Sequence, residues 1–308
     1  QEEAELGPVR LDEADREYLA KWMNSEYLES SMLTQVRDRF LDDENGSALQ
    51  LQNFLNKEVA AAVRTATREA DAKDGLQPVV VDGDEDASPR PKVDYEAGVS
   101  AEWRLCGPVH KQRFLCCAEG SKHILQQIRQ ELFASKAFRK WLHQVTRLSA
   151  QRYRSVVRRF RPGLDYTVAH YASIVKEAVL DTTLCFLDDA DRDLLDLWQS
   201  GEVGGFECYL EAEKEDEDAG APEVYEEGEE EDDNLLSVQG RFNTVSIVVR
   251  DEGVMKFTKY VSAMAPGSRW DISTEYEVDM GDEDDEEGDG SEKEGEGGEK
   301  MEEEEDDD

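Results

Sequence analysis

Two hydrophobic periods divide this chain. Up to about residue 145, apolar positions recur at three- and four-residue spacing, as in helices that bury one face. LDEADREYLAKWM (11–23) has Asp12 as a candidate N-cap, with Asp15 three positions on and Tyr18, Leu19 and Trp22 on one side. A second helix is expected over 29–42. A third is expected over 47–71, from the stripe Leu51, Phe54, Leu55, Val59 and Val63. Residues 72–97 are rich in Asp, Gly, Pro and Ser and read as a loop, with 79–81 a short strand at best. Helical spacing returns over 121–144, where Ile124, Leu125, Ile128, Leu132, Phe138, Trp141 and Leu142 share an apolar face and Gly120-Ser121 mark the start.

The period then changes to two. Strands are expected at 153–160, 165–171, 178–187, 205–212, 234–238, 243–250, 254–262 and 269–278. Arg161-Pro162-Gly163 reads as a turn, and Asp251-Glu252-Gly253 as a tight hairpin. Eight short strands after a run of helices, with no βαβ alternation, predict an α+β fold: a jelly roll, or double-stranded β-helix, with N-terminal helices packed on it. The expected organisation is a helical layer over 11–145 and a roll over 146–278, with disordered segments at 1–10, 211–233 and 279–308.

Charge sharpens those boundaries. The formal net charge is −39 over 308 residues. Residues 281–308 hold 18 acids against 2 lysines, and residues 211–233 hold 14 acids against 1 lysine. Such runs repel themselves and bury too little apolar surface to offset chain entropy. No apolar run is long enough to span a membrane. The chain begins at Gln1 rather than Met, which reads as a fragment. Cys106, Cys116, Cys117, Cys185 and Cys208 form no CxxC pair, and an odd count points to a reducing compartment. The adjacent Cys116 and Cys117 read as small hydrophobes, buried or half-buried.

Candidate chemistry is sparse. The phosphate-cradling GxGxxG and GxxxxGK[ST] motifs and the GxSxG nucleophile elbow are all missing, and Gly204-Gly205 before a strand reads as a turn. Against the acidic background, residues 136–161 carry nine basic residues and no acid. Lys136, Arg139 and Lys140 fall at helical spacing, Arg152, Arg154 and Arg158 alternate with Val156 as on a strand, and Arg159 belongs to the same expected basic surface. Three readings stand: a face neutralised by the chain's own acids, a docking surface for an acidic partner or for the catalytic domain of a longer parent, or an RNA or ribosome contact. The net acidity weighs against nucleic acid as the main partner.

Several segments in order resemble one family: LAKWMNSEYL (19–28), GPVHKQRF (107–114), RRFRPGLDYTVAH (158–170), GGFECYL (204–210), RFNTVSIVVRDEGVMKFTKYVS (241–262) and SRWDIS (268–273). They resemble the C-terminal, or degradation, domain of the eukaryotic prolyl 3-hydroxylases that use 2-oxoglutarate and iron. The resemblance implies a parent with an N-terminal catalytic jelly roll that uses Fe(II), 2-oxoglutarate and ascorbate on a proline of a small-subunit ribosomal protein. It also implies a C-terminal roll without the iron ligands, located in nucleus and cytoplasm, whose partners are the catalytic domain and regulators or the ribosomal substrate complex. In fungi it further implies a part in controlled degradation of a sterol-responsive transcription factor.

The iron of such enzymes needs two His and a carboxylate. His170 ends the right strand, but Ala172 stands where the carboxylate belongs, and Lys259 where the second His belongs. Halogenase relatives also carry Ala at the first of these positions, so Lys259 is the stronger obstacle: a protonated amine is no ligand. His110, His123 and His143 all precede the strands. Arg269, ten residues after Lys259, matches the oxoglutarate-binding position. It reads either as a vestigial anion pocket or as the partner of a neighbouring carboxylate or of Trp270. The expectation is a non-catalytic binding and support domain with no cofactor of its own. The alternatives are a dioxygenase using His170 and an RNA-binding module.

Overall fold

The computed structural model describes residues 10–42, 48–76, 94–170, 175, 177–211 and 234–279. The segments expected to be disordered, and 79–81, lie almost wholly outside these residues.

Helix α1 (Glu13–Ala20) starts as its cap signal predicts. The Asp12 carboxylate accepts from the Asp15 N–H at 2.8 Å, and Asp15 returns the bond at 3.2 Å. Helix α2 spans Ser30–Phe40. The third expected helix is split. Ala48–Gln52 form strand β1, and α3 (Lys57–Lys73) begins only after Asn56, whose side chain caps Val59 N–H at 3.0 Å. Asn53, at φ 51°, turns the chain between them. Leu49 and Leu51 are therefore buried by twofold alternation rather than along a helix.

The helical layer is interrupted again. Strands β2 (Trp103–Cys106) and β3 (Gln112–Cys117) leave it and join the main sheet, which corrects the expected domain division. Helix α4 (Ile124–Ile128) runs through a π turn to Ser135, which caps α5 (Lys136–Thr146).

Eight strands then follow, each at an expected place: β4 (Ser149–Phe160), β5 (Tyr166–Thr167), β6 (Val179–Phe186), β7 (Glu207–Glu211), β8 (Asn234–Val238), β9 (Thr244–Arg250), β10 (Val254–Thr258) and β11 (Arg269–Asp279). An unanticipated helix, α6 (Arg192–Gln199), capped by Asp191, sits between β6 and β7.

The large sheet runs β1-β9-β6-β11-β4-β3-β2, with β5 on β3; the small sheet runs β10-β7-β8, and every pairing is antiparallel. β5 also reaches the small sheet, where Thr167 Oγ1 accepts from Thr258 N at 2.6 Å. The last eight strands thus wind between two sheets as a double-stranded β-helix. That winding corrects the hairpin expected at Asp251-Glu252-Gly253. β9 pairs with β1 and β6, whereas β10 pairs with β7, so the turn carries the chain across from one sheet to the other.

The main hydrophobic core lies outside the roll. Leu180, Leu184 and Phe186 of β6, Val245 and Ile247 of β9, and Trp270, Ile272 and Tyr276 of β11 pack against the helices. The alternate residues Asp181, Thr183, Arg250, Arg269 and Asp271 point between the sheets. No helix among the described residues is long and apolar enough to cross a membrane.

Candidate functional site

His170 follows β5 and is half-buried, and Lys259, just past β10, is exposed. Ala172 lies outside the described residues. Backbone bonds hold Lys259 in place: its N–H donates to the Phe206 carbonyl at 2.9 Å, and its own carbonyl accepts from Gly205 N at 3.1 Å. The glycine pair before β7 is required by this approach. Gly204 has φ +68°, and a Cβ there would sit 1.9 Å from the Tyr260 carbonyl oxygen.

Arg269 points into the roll, where two buried carboxylates already hold it. Its Nε lies 3.0 Å from Asp271, its Nη2 lies 3.5 Å from Glu207, and its Nη1 donates to the Gly205 carbonyl. Asp271 also takes a two-pronged contact from Arg158, at 2.7 and 3.1 Å. Glu207 is shared between Arg158 at 3.2 Å, Lys256 at 3.4 Å and the Thr183 hydroxyl at 3.2 Å. Asp181 extends the cluster, 2.9 Å from Arg250 and 3.8 Å from Lys256, and Arg250 reaches Glu275 at 2.8 Å.

Four cations and four carboxylates thus fill the space between the sheets. Burial alone pushes the Glu207 carboxyl up, but Lys256, Arg269 and Arg158 outweigh it and hold its pKa at about 2. At Asp181 burial prevails over Lys256 and Arg250, so its pKa is raised.

At Arg269, the position that the sequence resemblance matches to oxoglutarate binding, Glu207 and Asp271 already pair with the guanidinium. No group of three or more His, Cys, Asp or Glu among the described residues is arranged to hold a metal ion. With an alkylammonium at 259 and a methyl at 172, the donor set does not fit iron.

The basic surface expected from Lys136, Arg139, Lys140, Arg154, Arg158 and Arg159 is not a surface. Only Lys136 and Arg154 are exposed. Arg158 and Arg159 are neighbours on β4, so they point to opposite faces, and both faces are covered. Arg158 enters the roll. Arg159 turns under α3, bonding Asp71 at 2.7 Å and Asp74 at 2.5 Å while lying 4.4 Å from the Trp270 ring. Arg139 is buried and donates to the Gln151 carbonyl at 3.1 Å, and Lys140 pairs with Asp15 at 2.7 Å. Sequence reasoning missed Glu207, Asp181, Lys256 and Arg250. Their signal was a lone charge at an inward position of an apolar strand, as in VLDTTLCF. In a chain with 74 acids that signal was easily lost.

A separate cleft of about 260 Å³ opens beside α3, lined by Arg64, Arg68, Asp188, Phe242 and Trp270 among others. Its two arginines are already paired with Asp189 and Asp188, at 3.1 and 2.6 Å.

Residues 14–284 match the family described as "Oxoglutarate and iron-dependent oxygenase degradation C-term". The chain belongs to this degradation-domain family. A relative within reach of it is "Prolyl 3,4-dihydroxylase OGFOD1" of Ostreococcus tauri, 34% identical over 269 residues. That match covers 84% of this degradation domain but 48% of the relative, so the chain spans about half the relative's length. Among solved structures, a Pseudomonas putida prolyl-4-hydroxylase aligns at TM-score 0.43 with 14% identity, covering 80% of this chain and 98% of that one. A Trichoplax adhaerens prolyl hydroxylase in complex with a hypoxia inducible factor peptide fragment aligns at 0.43 with 11% identity, covering 82% and 94%. The assignment of the degradation domain to a jelly roll rests on its own strand order.

Proposed function

We propose that this chain is the non-catalytic half of a two-domain prolyl hydroxylase, and that it works by binding protein partners. One observation carries the reading: Glu207 and Asp271 already pair with Arg269, the residue at the position that the family resemblance matches to co-substrate binding. A roll filled with its own ion pairs is a rigid support rather than a reaction chamber.

Its partner in this reading is the catalytic half, and the surface for it lies at the rim formed by β5 and the segment after β10. Val109, Val168, Tyr260 and Met264 are exposed there, beside Tyr166, whose ring lies 6.5 Å from that of Tyr260. Exposed apolar side chains gathered at one rim mark a contact site. Regulators of the parent enzyme, in nucleus and cytoplasm, would read the remaining surface.

The test is association in trans with a separately purified catalytic half. Binding should be lost in Tyr260→Glu/Met264→Glu with unchanged thermal stability. Undiminished binding by that variant would remove the rim from the account. Succinate release from 2-oxoglutarate by this chain alone would remove the non-catalytic reading.

A further inference from the structure

The five cysteines are not equivalent. Cys117 faces the helices opposite Trp103 and is buried, and Cys185 and Cys208 are buried as well. Cys106 and Cys116 are half-buried and lie on the other face of the β2–β3 pair. The register places Arg104 opposite Cys116, and Cys106 two residues further along β2. Cys106 and Cys116 are therefore diagonal neighbours on one face of an edge hairpin, with Arg104 beside both. Cys116 and Cys117, although adjacent in sequence, point to opposite faces.

We propose that Cys106 and Cys116 form a redox-active thiol pair, with Cys116 the nucleophile toward hydroperoxides and Cys106 the thiol that resolves it. The Cys116 thiolate attacks the peroxide. An S–O bond forms, the O–O bond breaks, and the leaving hydroxide takes a proton to become water. Cys106 then attacks the Cys116 sulfur, an S–S bond forms, the S–O bond breaks, and the released hydroxide takes up the Cys106 proton. Two thiols and one hydrogen peroxide give one disulfide and two waters, the sulfurs losing two electrons and the peroxide gaining them.

The surroundings assign the roles. The neighbouring Cys106 thiol is the largest influence on Cys116 and lowers its pKa. Burial works against it, Arg104 and Arg129 assist, Glu119 opposes, and the Cys116 pKa settles at about 6. The neighbouring Cys116, and then burial, raise Cys106. Burial raises Cys117 to about 11 and Cys185 to about 12, and raises Cys208 as well. A thiolate at neutral pH beside a protonated, half-exposed thiol is the arrangement that peroxide oxidation selects.

The test is equimolar hydrogen peroxide on the full chain at pH 7, followed by intact mass and peptide mapping. A loss of two hydrogens mapped to a Cys106–Cys116 link, reversed by a dithiol reductant, is expected. Cys106→Ser should instead accumulate a dimedone-reactive sulfenic acid at Cys116, and Cys116→Ser should show neither product. Iodoacetamide labelling of Cys116 should rise with a midpoint near pH 6 and plateau above it. Labelling that keeps climbing through pH 8–9 as for an ordinary thiol, or a disulfide that uses Cys117, would overturn the proposal. Both positions are half-exposed, and unchanged circular dichroism of the serine variants confirms that loss of product is not loss of fold.

Discussion

Glu207→Gln keeps the shape of the side chain and removes one negative charge from the middle of the roll. In the native cluster Glu207 is fully buried and meets Arg158, Lys256 and Arg269 within 3.5 Å, so the variant leaves one cation uncompensated. Removing one partner of a buried pair costs about 3–5 kcal/mol. The proton linkage gives an independent figure. The carboxyl is held at about 2 in the folded protein against an ordinary 4.5, a difference equivalent to ~3 kcal/mol at neutral pH. Because the folded value is the lower one, this contribution is present above pH 4.5 and is lost as pH falls toward 2. Urea denaturation of the native and variant chains at pH 7 and pH 3 measures both quantities. The expected gap is ~3 kcal/mol at pH 7, or about 6–12 °C in Tm, shrinking to ~1 kcal/mol at pH 3. A gap below about 1 kcal/mol at pH 7, or one that is the same at both pH values, refutes the reading of Glu207 as the cluster's anionic anchor.

Asp181→Asn should destabilise less than Glu207→Gln in the same denaturation series, because burial already disfavours the Asp181 anion. Asn243→Ala should cost ~2–4 kcal/mol in urea, since its amide satisfies both the buried Leu55 N–H at 2.8 Å and the Leu55 carbonyl at 3.1 Å. Gly204→Ala should yield little soluble protein against the Tyr260 carbonyl, whereas Gly75→Ala, with nothing within 4 Å, should cost ~1 kcal/mol for its positive φ alone. Lys136→Glu/Arg154→Glu should leave stability within about 0.5 kcal/mol and is the fair charge-reversal test for RNA affinity; Arg158→Glu/Arg159→Glu should unfold the chain instead.

The roll was legible because its large-sheet strands β4, β6, β9 and β11 alternate between a helix-covered face and an interior face, and turn residues separate the strands. The helical side was less so. At β1 the apolar residues Leu49 and Leu51 obey twofold spacing, while Leu51, Phe54, Leu55 and Val59 also fit a helix, and the longer pattern prevailed over a five-residue strand. Helix α6 carries Asp191 as cap and Leu194, Leu197 and Trp198 at helical spacing, but it is only eight residues long and sits among strands. The basic stripe misled for a different reason. Its counter-charges, Asp71, Asp74, Glu207 and Asp271, come from distant segments, so local charge counting cannot find them. At Arg269 the sequence left two readings, and the structure shows the one with carboxylate partners: Asp271 two residues on, and Glu207 from a distant strand.

The central claim is that this roll holds no co-substrate. Titration calorimetry of the purified chain with manganese and 2-oxoglutarate, beside a His170→Ala control, tests it most directly. The account predicts no binding heat in either protein. Micromolar binding that disappears in the control would contradict it and give this domain chemistry of its own.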